Sequence, residues 1–215
     1  MKLVVGLGNP GLRYAATRHN VGFRVIDLLV RRHGVRLKRT RLRGLAGTGS
    51  VAGPEVALLQ PTTYMNNSGL CVGPAVQRWG VAPQDLLVVC DDVHLALGAL
   101  RLRRRGSAGG HHGLESVIEA LGTSEFARLR IGVGQPAPWQ DWVDHVLRRF
   151  EREEMPVIGK AIARAADAVE CWLADGIEAA MNRFNERART RAQESPAPPQ
   201  PDTTQTDTGC ESAGT

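Results

Sequence analysis

The sequence has few cysteines and no long hydrophobic run, and each shortage excludes a class of protein. Its four cysteines are scattered, with no CxxC pair, which favours reduced thiols in a cytoplasmic protein over disulfides or zinc ligands. No apolar stretch approaches the length of a membrane-spanning helix, and the N-terminal apolar run is too short for a signal peptide. The sequence therefore predicts a cytoplasmic protein that does not enter a membrane.

Composition predicts one folded domain followed by a tail. The 215 residues are 42% hydrophobic, which is enough for a sizeable core. Over residues 188–215 Pro, Ser, Thr, Gln and Gly dominate, so we expect a domain over 1–187 and a disordered tail over 188–215. The net charge of +5 is compatible with an acidic partner but does not identify one.

The hydrophobic pattern predicts a single α/β domain with a largely parallel sheet. Apolar runs at Leu3–Val5 and Leu86–Cys90 indicate buried strands, and they alternate with helical patterns. One helical pattern begins at Val21, with Asn20 as a suitable N-cap, which leaves His19 at the rim of the strand ends. Polar clusters fall at four connections, which read GNPG…RHN, TTYMNNSG, CDD and GGHHG.

Gly6, Gly8 and Gly11 spell GxGxxG after the first strand, which is the pattern of a dinucleotide-binding loop. That fingerprint requires a helix that begins at the glycines and an acidic residue at the end of a second strand. Here the helical pattern begins only at Val21, and the acid at the right distance, Asp27, lies within the helix. We therefore reject a dinucleotide site.

Two segments are strongly basic. Residues 31–43 contain seven Lys and Arg residues, and they form either a solvated surface or a nucleic-acid patch. Residues 98–105 alternate, with leucines on one face and Arg101, Arg103 and Arg105 on the other, which predicts a half-exposed strand.

The polar clusters favour hydrolysis by an activated water. No serine stands in a GxSxG elbow, and the thiols have no histidine context, so a covalent nucleophile has no candidate. Two groups of residues are candidate metal ligands: Asp91, Asp92 and His94, and His111, His112 and Glu115. Neither group has a recognisable ligand spacing. A histidine held by a carboxylate is a general base for water, and asparagines orient water or an oxyanion. This set of groups is suited to cleaving an activated carbonyl.

Six blocks in order resemble the bacterial-type peptidyl-tRNA hydrolase family. They are VGLGNPGLRYAATRHNVG, PTTYMNNSG, LLVVCDDV, GGHHGLESVIEALGT, RLRIGVG and AMNRFN, and they are distributed over nearly all of residues 1–185. The resemblance implies cleavage of the ester between a peptide and the terminal ribose of tRNA, which recycles tRNA from aborted translation. It also implies a monomer without cofactor or metal, with a twisted mixed sheet surrounded by helices.

The resemblance assigns roles to ten residues. His19 matches the general base and Asp91 the carboxylate that orients it, while Asn9 matches the asparagine that distinguishes a blocked amino group. The positions that match contacts to the tRNA 3′ end and the peptide are Tyr14, Tyr64, Met65, Asn66 and His112. Arg103 and Arg130 match the pair that binds the tRNA 5′-phosphate.

His112 is the main departure from the family, which has asparagine there. A neutral imidazole keeps one donor and one acceptor, so it can still hold water or a ribose hydroxyl, but it can also become charged near neutral pH. Cys90, His94 and Gln135 also replace residues usual in the family. An RNA-binding protein that has lost turnover is therefore an alternative, against which the retention of His19 and Asp91 argues.

Overall fold

A computed structural model describes residues 1–137, 139 and 141–185. The tail predicted over residues 188–215 lies outside the described residues. One seven-stranded sheet, in the order β2-β3-β4-β1-β5-β7-β6, forms the centre of the fold. Its strands are β1 (Lys2–Gly6), β2 (Lys38–Arg39), β3 (Gly44–Ser50), β4 (Glu55–Pro61), β5 (Leu86–Asp92), β6 (Leu100–Arg103) and β7 (Ala127–Gly132).

The four central strands β4, β1, β5 and β7 are parallel, while β2, β3 and β6, toward the two ends of the sheet, pair antiparallel with their neighbours. This confirms the predicted α/β class with a mixed, largely parallel sheet. Central strands of a parallel sheet are covered on both faces, and every residue of β5 is accordingly buried. The buried run extends beyond the predicted apolar segment to include Asp91 and Asp92.

Helices cover both faces of the sheet and create two apolar layers. One layer packs α1 (Val21–His33) and α5 (Met155–Phe184) against the sheet. The other packs α2 (Gly69–Trp79) and α3 (His112–Leu121) on the opposite face. The long C-terminal pattern was predicted to end near Gly176; the helical geometry breaks there (φ 86°), but helix resumes as far as Phe184. In the part of the chain that the structure describes, none of the helices is long and apolar enough to cross a membrane.

The glycines of the rejected dinucleotide motif serve helix packing instead. A Cβ on Gly6 would lie 2.3 Å from the carbonyl oxygen of Gly22 in α1. A Cβ on Gly22 would lie 2.5 Å from the carbonyl oxygens of Leu7 and Val89. Glycine is therefore required on both sides, because the start of α1 touches the ends of β1 and β5 directly. This contact fixes the segment that precedes α1, which carries His19.

Candidate active site

A cavity of about 590 Å³ lies at the carboxyl ends of the parallel strands, where open α/β sheets bind ligands. All but one of the ten residues singled out in the sequence line it: Asn9, Tyr14, His19, Tyr64, Met65, Asn66, Asp91, His112 and Arg130. Arg103 lies on β6, outside the lining. Segments that are distant in sequence thus line the same cavity, because the strands that they follow are adjacent in the sheet.

His19 and Asp91 form a buried hydrogen-bonded pair. His19 lies in a 3₁₀ turn, Arg18–Asn20, directly before α1, and its Nδ1 is 2.8 Å from Oδ1 of Asp91. The side chains are 12% and 2% exposed, respectively. An ionised carboxylate only accepts, so Nδ1 of His19 donates and its Nε2 keeps a free lone pair. That lone pair is the group that a general base needs.

His111 supplies a second hydrogen bond to Asp91. Its Nε2 lies 3.0 Å from the same Oδ1, and its ring centroid is 5.1 Å from that of His19. The backbone N–H of Leu114 donates to Nδ1 of His111 at 3.2 Å. Because Nδ1 accepts this bond, the proton of the neutral ring lies on Nε2 and is donated to Asp91. Oδ1 of Asp91 therefore fixes the orientation of both imidazole rings.

The pKa directions match this arrangement. Burial by itself lowers the pKa of His19, but the charge of Asp91 and its hydrogen bond outweigh burial, so that the pKa is raised above its ordinary value. Burial by itself raises the pKa of Asp91, but the two histidines outweigh it and the pKa is lowered well below its ordinary value. Asp91 is therefore ionised at neutral pH, and it strengthens the basicity of His19.

The ring beside His19 belongs to His111, to which the sequence analysis gave no role in catalysis, and not to the adjacent His112. His111 is the N-cap of α3, with extended backbone (φ −87°, ψ 103°), and its side chain turns inward. His112 is the first helical residue; its side chain is 65% exposed and contacts Glu115 at 3.0 Å. His112 still lines the cavity, but at its surface.

Asn20 was interpreted as a helix cap, but its side chain makes no capping bond. Instead, Oδ1 of Asn20 accepts from the backbone N–H of Asn9 at 2.9 Å, and its Nδ2 donates to the carbonyl oxygen of Asn9 at 2.9 Å. This two-bond clip ties the Gly8–Gly11 corner to the segment that carries His19. It therefore sets the position of Asn9 relative to His19.

We expect Asn20→Ala to lower the free energy of unfolding by about 1–3 kcal/mol, because it leaves two buried backbone groups of Asn9 without partners. Thermal or urea unfolding monitored by circular dichroism measures the change. Asn67→Ala is the matched control, since Asn67 is exposed. Equal losses in the two variants would contradict the clip.

The side-chain amide of Asn9 has a defined orientation. The backbone N–H of Met65 donates to Oδ1 of Asn9 at 2.8 Å, which identifies the oxygen and leaves Nδ2 as a donor. Within the described residues Nδ2 has no hydrogen-bond acceptor, and Asn9 lines the cavity. Asn9 therefore offers an N–H donor to a bound ligand.

Aromatic side chains form the rim of the cavity. Tyr14 and Tyr64 meet edge to face, with centroids 6.4 Å apart, and Tyr64 is 58% exposed. The opposite wall is α4 (Trp142–Leu147), which contributes Trp142 and Val143. Trp142 packs against His94 with centroids 5.3 Å apart. The sequence analysis missed this wall, although Asp141 before Trp142 is a good N-cap and does accept from Val143 and Asp144.

The two predicted phosphate-binding arginines differ in environment. Nε of Arg130 lies 3.3 Å from Oδ2 of Asp92, an ion pair by distance without hydrogen-bond geometry, and its Nη2 donates to the Ala108 carbonyl. Arg130 thus supports the glycine-rich loop before α3. Arg103 is exposed on the sheet edge and, within the described residues, has no ion-pair partner.

One set of side chains has the composition of a metal site. The candidate ligand atoms of His19, Asp91 and His111 all lie within 4.8 Å of one another. Each ring nitrogen that faces the carboxylate already bonds Oδ1 of Asp91. A cation would have to replace both hydrogen bonds, so the geometry fits a hydrogen-bonded triad better than a metal centre.

Comparison with known proteins gives consistent matches. A family model described as peptidyl-tRNA hydrolase matches residues 3–193. The peptidyl-tRNA hydrolase of Geobacillus kaustophilus is 53% identical over 186 residues, covering 86% of this chain and 100% of that protein. That of Symbiobacterium thermophilum is 52% identical over 187 residues, covering 86% and 98%. A crystal structure of the Acinetobacter baumannii peptidyl-tRNA hydrolase superposes with a TM-score of 0.82 at 37% identity, covering 86% and 94%.

Proposed function

The chain belongs to the peptidyl-tRNA hydrolase family, and we propose that it cleaves peptidyl-tRNA with His19 as the general base and Asp91 as the carboxylate that orients it. The observation that carries this assignment is the 2.8 Å bond between Nδ1 of His19 and Oδ1 of Asp91. It leaves Nε2 of His19 as a base in a cavity.

The reaction uses one water and needs no covalent intermediate. Nε2 of His19 takes a proton from water while the oxygen attacks the ester carbonyl. The imidazolium is stabilised by the charge of Asp91. As the tetrahedral intermediate collapses, the C–O bond to the ribose breaks, and the imidazolium returns its proton to the ribose oxygen. The products are the free peptide and tRNA, and the enzyme is restored.

His111 is a positioning residue that the sequence analysis did not assign. Its Nε2–H bonds the same Oδ1 that accepts from His19, so it limits rotation of the Asp91 carboxylate. The Leu114 N–H holds the His111 tautomer that makes this bond. The base is thus held by a chain of three fixed hydrogen bonds.

The remaining cavity residues bind the substrate. Nδ2 of Asn9 donates to a carbonyl of the peptide, which favours a blocked amino group over a charged free amine. Asn66, exposed in the 3₁₀ turn Met65–Asn67, holds the reacting water or the oxyanion. Tyr14 and Tyr64 contact the 3′ end of the tRNA, with Met65 beneath them and His112 at the rim.

We expect Arg103→Ala to weaken binding of substrates that carry a 5′-phosphate. The slope of log affinity against log salt concentration should become smaller by about one, which corresponds to the loss of one phosphate contact. Affinity measured at several salt concentrations tests this. On a short substrate without that phosphate, Arg103→Ala should retain normal turnover. Arg130→Ala should impair both substrates, because it also removes the contacts to Asp92 and Ala108. Equal impairment by Arg103→Ala on both substrates would contradict a phosphate role for Arg103.

Cleavage of an N-acetylated aminoacyl-tRNA by the purified chain tests the proposal directly. The enzyme acts as a cytoplasmic monomer without metal or cofactor, so turnover should survive exhaustive chelation, and light scattering should give the mass of one chain. Tight tRNA binding without ester cleavage would instead support the alternative of an RNA-binding protein that has lost turnover.

A further inference from the structure

A basic surface lies on the β2–β3 edge of the sheet, which the hydrolase site does not use. It consists of Arg36, Lys38, Arg39, Arg41, Arg43 and Arg78, all exposed. A groove of about 570 Å³ runs between this edge and the end of α2, with Arg36, Lys38, Arg78 and Trp79 in its walls. An adjacent groove of about 410 Å³ is lined by Arg41 and Arg43. No aspartate or glutamate of the described chain lines either groove.

The charges of the basic surface are uncompensated. Among the residues that the structure describes, none of its six cations forms an ion pair. By contrast, neighbouring Arg32 pairs with both Asp167 and Glu170. Six like charges on one surface repel one another and attract a polyanion.

The composition of the surface selects the kind of polyanion. Leu37 and Leu42 of the basic segment pack against the core, and among the described residues that line the two grooves the one exposed large hydrophobic side chain is Leu70. A surface that anchors in a membrane by insertion presents apolar side chains, and a protein interface has an apolar centre. Phosphate contacts need only exposed lysines, arginines and backbone groups. We propose that the basic surface binds the phosphate backbone of double-helical RNA.

This RNA is not the acceptor stem of the substrate, an inference that depends on the proposed phosphate role of Arg103. The surface and Arg103 lie on opposite edges of the sheet, on β2–β3 and β6. Strands are spaced by about 4.8 Å, so the two edges are on the order of 30 Å apart. A stem whose 5′ end is held at β6 would have to cross the full width of the sheet to reach the basic surface. The basic surface therefore engages a second RNA helix.

The test is the affinity of the full chain for a short blunt RNA duplex with 5′-hydroxyl ends. This duplex lacks the 5′-phosphate of the substrate and its 3′ end that carries the peptide. The variant Arg36→Gln/Lys38→Gln should bind the duplex about tenfold more weakly and show a salt slope smaller by about two. The control Arg152→Gln/Lys160→Gln removes the same charge from exposed positions elsewhere and should bind as the unmodified protein does. Cleavage of peptidyl-tRNA should stay within about twofold for both variants.

Equal losses of duplex affinity in the two variants would overturn the proposal, since they would reflect net charge alone. A parallel loss of kcat/KM on peptidyl-tRNA in Arg36→Gln/Lys38→Gln would overturn it as well, because the surface would then belong to the substrate path. Binding to phosphatidylglycerol vesicles but not to the duplex would also overturn the proposal. Arg103→Ala should leave duplex affinity unchanged, which separates failure of this proposal from failure of the proposed hydrolase site.

Discussion

Replacing His19 with alanine should lower kcat on peptidyl-tRNA by at least about 10², because a positioned general base contributes about that much. Binding of tRNA should remain close to that of the unmodified enzyme, since His19 contacts Asp91 and His111 rather than the exposed arginines. Single-turnover cleavage together with affinity for deacylated tRNA measures the two effects separately.

A matched control is His33→Ala. His33 also pairs with a carboxylate, Glu170, at 2.9 Å, but on a helix outside the cavity. Turnover should therefore be retained in this variant. If His19→Ala also kept near-normal turnover, another group would be the base and the proposed mechanism would be wrong.

The residues around His19 show how far local sequence predicts a site. The helix start at Val21 follows from the hydrophobic pattern, so the position of His19 at the strand ends was predictable. The Asn20 clip was not, because its partner is the backbone of Asn9, and a single residue type serves either as cap or as clip. Tertiary contact decides between these uses.

Adjacent histidines posed a similar problem. Whether His111 or His112 turns inward depends on where α3 begins, and helix boundaries are uncertain by one or two residues from sequence alone. Here the helix begins at His112, so His111 becomes the cap and faces Asp91. A shift of one residue exchanges the buried and the exposed ring.

The sequence analysis did not predict strands β2 and β3, and the reason here is different. Three glycines within Gly44–Ser50 weaken the strand pattern, yet a Cβ at Gly47 would lie 2.4 Å from the carbonyl oxygen of Arg36. The glycine that lowers strand propensity is required by the chain crossing above it. Strand formation there follows from contacts distant in sequence, whereas the buried apolar strand β5 was evident in its own residues.

Asp91→Asn should also have a large effect on activity and should change the pH dependence in a defined direction. Activity requires neutral His19, so the rate rises with pH through the pKa of His19 and then levels off. Asp91 raises that pKa, which moves the acid limb of the unmodified enzyme to higher pH than an ordinary histidine would give. Both histidines bond the same oxygen, Oδ1, which an asparagine also provides. The substitution therefore removes the charge while retaining acceptors for both rings.

With the charge removed, burial dominates and the pKa of His19 falls, so the acid limb should move to lower pH. The plateau rate should fall by about 10²–10⁴, since the imidazolium formed during attack loses its counter-charge. The measurement is kcat/KM against pH for Asp91→Asn and the unmodified enzyme, with circular dichroism to verify folding. A merely structural role would lower the plateau without moving the limb. A limb that stayed in place or moved to higher pH would show that Asp91 does not set the basicity of His19.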